Sequence, residues 1–197
     1  MRHDFQIAHN SGLIRGSLVP VLAITLFCIF VVIAIFNTFV ATKDYEGEII
    51  ERDIRKLADA IHQIEKDCKI YTVEGTLNSI NFLNVKSFVG SQVGPINLKH
   101  PDRWHGPYMD RNPSIQSIEY LLVRTKKGYF VTPGKGVRLP NGKIVGEDIK
   151  LDEDADIETM MKDEQQFGYK GKSLAAPVDI KKRGPFYIPG APLNYSL

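Results

Sequence analysis

The stretch that decides the fold is SLVPVLAITLFCIFVVIAIFNTFVA, residues 17–41. It lies within 27 consecutive residues, from Gly16 to Thr42, that carry no charged side chain. At about 1.5 Å per residue, a helix over residues 17–42 extends about 39 Å, which is enough to cross a roughly 30 Å hydrocarbon layer with some tilt. The sequence therefore predicts one transmembrane helix over residues 17–42.

A cleaved secretory signal is the alternative interpretation of this stretch. Its apolar part is about twice as long as the usual apolar core of a signal peptide. Cleavage after Ala41 would also place Phe39 where a small residue is required. We therefore favour an uncut anchor.

The charges beside the span predict its orientation. Arg15 lies at the membrane edge with no acidic residue next to it, whereas the residues just after the span carry both signs of charge. The positive-inside rule then places residues 1–16 in the cytoplasm and everything after Thr42 on the far side of the membrane.

The composition of the chain narrows the classes of protein. The 197 residues are 43% apolar and 24% charged, with a net charge of +2. A single span excludes a polytopic transporter, and the remaining residues can enclose one modest core. The near-zero net charge predicts no nucleic-acid partner. On one continuous helix, Cys28 and Cys68 would be about 60 Å apart, so they cannot form a disulfide.

A second helical pattern follows the span. Apolar residues recur at spacings of three and four: Ile50, Ile54, Leu57, Ile61, Ile64 and Cys68. Charged residues occupy the other faces, so the pattern predicts an amphipathic helix over residues 43–70 that continues from the transmembrane helix without a break. This apolar stripe could pack on the chain's own sheet or form a coiled coil with another subunit, and the sequence leaves both open.

The remaining residues predict a small antiparallel sheet. Gly, Pro and Asn are frequent in residues 71–117, which indicates loops and short elements. Residues 118–150 alternate β-rich runs with turns and predict an antiparallel meander, in which Asn141-Gly142 marks a tight hairpin. Residues 151–197 contain an acidic loop, a basic segment and a proline-rich tail. The predicted fold class is α+β, with a long N-terminal helix packed on a small antiparallel sheet.

The sequence lacks the common catalytic motifs, so we expect a protein that is not an enzyme. The sequence contains no H-E-x-x-H or G-x-S-x-G motif and no paired nucleophile and base, so no catalytic residue is assigned. Asp152, Asp154 and Asp156 have the spacing of the first ligands of a calcium loop, but Ile157 occupies the position that needs glycine. A looser calcium site with oxygen ligands and a simple solvated loop both remain open.

One short motif resembles a known family. Trp104-His105-Gly106-Pro107-Tyr108 resembles the Trp-x-Gly-Pro-Tyr motif of the major, G-type pseudopilins of type II secretion systems, which are similar to type IV pilins. The family motif corresponds to Trp104, Gly106, Pro107 and Tyr108. The positions that resemble the part of the family helix docked on the sheet are Ile54, Leu57, Ala58, Ile61 and Ile64.

The resemblance implies a pilin-like fold and a structural role. It implies a non-catalytic subunit of a pseudopilus in the bacterial inner membrane, with its C-terminal domain in the periplasm and other subunits bound through the N-terminal helix. No cofactor is required, and calcium is the one metal it suggests, at Asp148, Asp152, Asp154 and Asp156.

The chain departs from the family at its leader. Prepilin leaders end in glycine and are followed, five residues later, by glutamate. A cut after Gly16 puts Val21 there, and a cut after Gly12 puts Ser17 there. The other functional hypothesis is therefore a single-span accessory subunit of another inner-membrane complex, with the outer domain and tail wrapping a larger partner.

Overall fold

The computed structural model describes the backbone of residues 12–181 and the side chains of residues 19–181. Most of the predicted cytoplasmic segment and the proline-rich tail after residue 181 lie outside the described residues. The chain divides into two compact units, Met1–Tyr45 and Glu46–Leu197. We call the second the outer unit, after the predicted orientation of the span.

The first element is the helix α1, Gly12–Cys68. Within the described part of the chain, it is the one helix long and apolar enough to cross a membrane. The large apolar side chains from Val19 to Phe39 are between 40% and 69% exposed. Such continuous exposure suits a lipid environment, because a soluble helix buries at least one apolar face. Pro20 lies inside α1, as its ninth residue, so the helix lacks the N–H that would donate to the carbonyl of Gly16.

The second unit contains short strands. They are β1 (Ile70–Val73), β2 (Leu77–Ser79), β3 (Gln92–Val93), β4 (Ile96–Leu98), β5 (Ser114–Ile115), β6 (Ile118–Glu119), β7 (Leu121–Arg124), β8 (Tyr129–Thr132), β9 (Gly168–Tyr169), β10 (Lys172–Ser173) and β11 (Ala176–Val178). Two 3₁₀ turns, Asn81–Asn84 and Pro101–Arg103, and a short helix α2, Ile157–Met160, connect them. All strand pairs are antiparallel, and the largest sheet has the order β11-β8-β7-β2.

The apolar stripe of α1 lies in the core of this unit. Its members are at most 1% exposed: Ile50, Ile54, Leu57, Ile61, Ile64 and Cys68. They belong to one cluster with strand residues such as Leu122, Val131 and Ile96. The predicted fold class is confirmed: a long N-terminal helix packs against small antiparallel sheets. Because the stripe is covered by its own chain, it does not present a coiled-coil seam.

The strands are distributed differently from the predicted pattern. The largest sheet takes β2 from the segment interpreted as loops and β11 from the segment interpreted as a basic run. Within residues 118–150, β7 and β8 are regular strands, and the Asn141-Gly142 turn is closed by Gly142 N–H donating to Leu139 O at 2.8 Å. The flanking residues form only isolated bridges, Arg138–Ile144 and Val145–Ile149. Strands of two to four residues are too short to show a clear alternation in sequence.

The stripe predicts a large effect of a single truncation. We expect Leu57→Ala to lower the free energy of unfolding of the outer unit by about 2–5 kcal/mol, because a fully buried leucine leaves a cavity. Urea unfolding of the full-length protein in detergent, followed by the fluorescence of Trp104, the one tryptophan, measures this. Lys56→Ala, one residue away on the exposed face, is the control and should change it by less than about 0.5 kcal/mol.

Candidate functional site

The motif Trp104–Tyr108 forms a compact loop, which we call the aromatic loop. The indole Nε1–H of Trp104 donates to the carbonyl oxygen of Val85 at 3.0 Å. The Trp104 ring makes edge-to-face contacts with Phe88, at 5.2 Å between ring centroids, and with Tyr108, at 4.9 Å. The tryptophan is therefore fixed by one hydrogen bond and two rings, which is the geometry that aromatic pairs prefer.

Gly106 is required by the close approach of the chain within this loop. A Cβ atom built on Gly106 would lie 2.2 Å from the oxygen of Val85 and 2.3 Å from Nε1 of Trp104. Both distances are far below van der Waals contact, so no side chain fits. The Gly106–Pro107 peptide bond is cis. The carbonyl group of Val85 thus accepts the hydrogen bond from Trp104 and also occupies the space that a side chain at position 106 would need.

Tyr108 carries the aromatic loop to the C-terminal end of α1. Its hydroxyl donates to Asp67 Oδ2 at 3.5 Å, accepts from the N–H of His105 at 3.4 Å, and lies 3.9 Å from Sγ of Cys68. Burial raises the pKa of the Tyr108 hydroxyl and of the Cys68 thiol. Both groups therefore stay protonated at neutral pH, which suits packing and disfavours a reactive thiolate.

A shallow cleft lies beside the aromatic loop. It is lined by Lys56 and Asp59 of α1 and by the chain from Pro107 to Asp110. The lining carries both signs of charge and is widely open to solvent. It lacks the enclosed apolar walls typical of a small-molecule site.

Each of the four predicted calcium ligands has its own hydrogen-bond or ion-pair partner within the chain. Asp148 accepts the N–H of Ile144 at 2.8 Å, and Asp152 accepts the N–H of Asp154 at 3.0 Å. Both contacts are local turn contacts, in which a short acidic side chain bonds to nearby backbone. Neither carboxylate is aimed at a common centre by these contacts.

The other two aspartates are paired with lysines in the turn between β7 and β8. Asp154 forms an ion pair with Lys126, and Asp156 forms one with Lys127. Asp156 also caps α2 by accepting the N–H of Thr159 at 3.3 Å. These contacts lower the pKa of Asp156, chiefly through the hydrogen bond from Lys127, and the bond to Asp154 raises the pKa of Lys126. We call this set of contacts the lysine clasp.

The lysine clasp extends into the sheet. Arg124, at the end of β7, donates to Glu153 Oε1 at 2.9 Å, and the N–H of Lys126 donates to the carbonyl of Glu153 at 2.8 Å. Sequence analysis missed the clasp. The available signal was the Lys126-Lys127 pair between two strands, but its partners lie more than 25 residues away in the chain.

Two carboxylates of α1 are buried, although the helix pattern predicts charged residues on the exposed faces. Glu65 is 4% exposed, and its Oε2 accepts the N–H of Ile70 at 2.6 Å. Asp53 is 7% exposed and accepts from Arg52 at 3.2 Å. Burial and Asp53 together raise the pKa of Tyr120. Glu65 thus stabilises the backbone where α1 passes into β1.

The basic run that follows the acidic loop has a different partner. Lys172 donates to Glu48 of α1 at 2.9 Å.

Within residues 19–181, no group of three or more His, Cys, Asp or Glu side chains has a metal-binding arrangement. Calcium binding stays a prediction.

No family model, curated protein or solved structure matches the chain.

The aromatic loop predicts a strong effect of adding one methyl group. We expect Gly106→Ala to lower the free energy of unfolding by about 2–4 kcal/mol, because the methyl group must displace Trp104 and break its hydrogen bond to Val85. A red-shifted Trp104 emission before unfolding would report the displacement. In the control, Gly128→Ala, the new methyl group meets Phe130 only at 3.7 Å or more, so Trp104 emission should not change.

The lysine clasp predicts how calcium would act. Calcium must compete with Lys126 and Lys127 for Asp154 and Asp156, so we expect millimolar calcium to raise the melting temperature of the full-length protein more in a Lys126→Met/Lys127→Met variant than in the unaltered chain. Differential scanning fluorimetry with calcium, magnesium and chelator measures the shift. Equal melting temperatures in calcium and chelator for both proteins would contradict the calcium prediction.

Proposed function

We propose that this chain is a non-catalytic structural subunit of a membrane-anchored pseudopilus or pilin-like secretion assembly. The observation that carries the proposal is that one helix, α1, contains two surfaces of different kinds. Its first part exposes apolar side chains all round, from Val19 to Phe39, and its second part buries an apolar stripe in the core of the outer unit. Such a helix suits a protein whose role is to hold a folded domain on a membrane.

The aromatic loop supports the pilin-like form of this proposal. Its residues resemble the family motif, and the loop packs at the end of α1 through Tyr108, Asp67 and Cys68. In a pseudopilin-like subunit, this contact would fix the aromatic loop against the C-terminal end of α1, where the chain enters β1. The proposal includes an N-terminus in the cytoplasm of a bacterium and an outer unit in the periplasm, consistent with the charge next to the span.

The charged surface of the outer unit also supports a structural role. Its exposed ion pairs, such as Lys126–Asp154 and Lys172–Glu48, join segments distant in sequence. Acidic side chains such as Asp154 and Glu48 are engaged in these pairs. The cleft beside the aromatic loop is shallow and open to solvent.

The second candidate function is a single-span accessory subunit of another inner-membrane complex. The observation that favours it is the leader: neither Val21 nor Ser17 supplies the acidic side chain expected after a prepilin cut. In that case the outer unit and the uncharged tail would wrap a larger partner at fixed stoichiometry.

Purification of the native assembly from membranes separates the two functions. For the pseudopilus function, we expect the chain to copurify mainly with copies of itself and a few minor subunits, as short helical particles in electron micrographs. A complex with one copy of this chain and unrelated subunits would contradict that function and favour the accessory one. Sequencing of the mature N-terminus gives a second readout: Leu13 or Ser17 as the first residue indicates pilin-type processing, and an intact Met1 excludes it.

A further inference from the structure

Asn37 is a polar side chain in the apolar part of α1. Taking Phe30 as the middle of the span, Asn37 lies seven residues away, or about 10 Å along the helix axis. The hydrocarbon layer extends about 15 Å on each side of its centre, so the amide of Asn37 lies inside it. A polar group at this depth needs a hydrogen-bond partner, because lipid provides none.

The threonines of the same helix already have partners. Thr25 Oγ1 donates to Val21 O, Thr38 Oγ1 to Ala34 O, and Thr42 Oγ1 to Thr38 O, each at 2.9 Å. These hydroxyls are satisfied within their own helix. Within residues 19–181, no side-chain hydrogen bond involves Asn37, and its side chain is exposed. For a carboxamide on a helix surface in lipid, a polar group on a neighbouring helix supplies both the donor and the acceptor that it needs.

The residues around Asn37 permit the close approach of a second helix. Ala34 precedes it by three positions and Ala41 follows by four, so both lie on one side of this face, whereas Ile33 and Val40 lie on its other side. Small side chains at these spacings let helix backbones approach closely, and polar side chains at such contacts form hydrogen bonds across the interface. Ile35 and Phe39, two positions away on either side, lie on the opposite face and are large and apolar.

We propose that the face of α1 centred on Asn37 is a homotypic contact, in which Asn37 pairs with Asn37 of a second copy of this chain. The inference rests on the membrane location included in the proposed function. Copies inserted in the same orientation place residue 37 at the same depth, and a carboxamide has both a donor and an acceptor, so two of them satisfy each other. A chance partner subunit would need a polar side chain at that same depth.

Oxidative cross-linking in membranes tests the contact with Asn37 left intact. The full-length protein carries Cys28→Ser, which removes the exposed cysteine, and either Ala41→Cys on the proposed face or Phe39→Cys on the opposite face at a similar depth. We expect a cross-linked dimer from Ala41→Cys and several-fold less from Phe39→Cys. Adding Asn37→Leu to the Ala41→Cys protein should weaken dimerisation roughly three- to thirtyfold, whereas Asn37→Gln, which keeps the amide, should retain most of it.

Several outcomes would overturn the contact. They are equal yields from the two faces, an unchanged yield with Asn37→Leu, no cross-link from either position, or a cross-link from Ala41→Cys to a different polypeptide. Failure of the proposed function is a separate result. If the dimer forms as expected but native membranes yield no larger assembly, the function is wrong and the contact holds; if an assembly is purified but cross-links run through Phe39→Cys, the contact is wrong and the function holds.

Discussion

The structure depends on one helix, α1, whose apolar side chains are exposed in its first part and buried in its second. From Val19 to Phe39 its large apolar side chains are exposed, a surface that water would not tolerate over so many turns. From Ile50 to Cys68 apolar residues are confined to one stripe, and the sheets of the outer unit cover it. Each strand is only two to four residues long. The helix therefore supplies the longest continuous apolar surface of the core, and the strands pack around it.

The end of the stripe is the most closely specified part of the outer unit. Cys68 closes the apolar stripe, Glu65 accepts the first N–H of β1, and Tyr108 brings the aromatic loop against Asp67. A helix end exposes carbonyl groups, and a chain that turns directly into a strand must also satisfy new N–H groups. The buried carboxylate of Glu65 accepts the N–H of Ile70, and the N–H groups of Lys69 and His100 donate to the helix carbonyls of Glu65 and Cys68. This explains why Glu65 is enclosed although the helix pattern assigns charged residues to the surface.

Periodicity predicted the elements that repeat, and missed the contacts between distant residues. The span and the stripe at Ile50, Ile54, Leu57, Ile61 and Ile64 could be predicted because each signal extends over several helical turns. The strands β2 and β11 could not, since three residues carry no period and their partners are 42 or more residues away. The resemblance singled out Trp104 and Gly106, and the structure supplies the physical reason: both depend on the carbonyl of Val85. The lysine clasp depends on which turn faces the acidic loop, and only the fold determines that.

The lysine clasp also changes how the acidic loop is understood. Nine acidic residues against two lysines between Glu147 and Glu164 suggest mutual repulsion that a bound cation would relieve. In the structure Arg124, at the end of β7, and Lys126 and Lys127, in the β7–β8 turn, supply positive charge to this loop. These pairs are exposed, so each contributes little in isolation, but together they place Asp154 and Asp156 against the β7–β8 turn. A divalent cation that bound through Asp154 and Asp156 would therefore have to displace the ammonium groups of Lys126 and Lys127, and this exchange would lower its affinity.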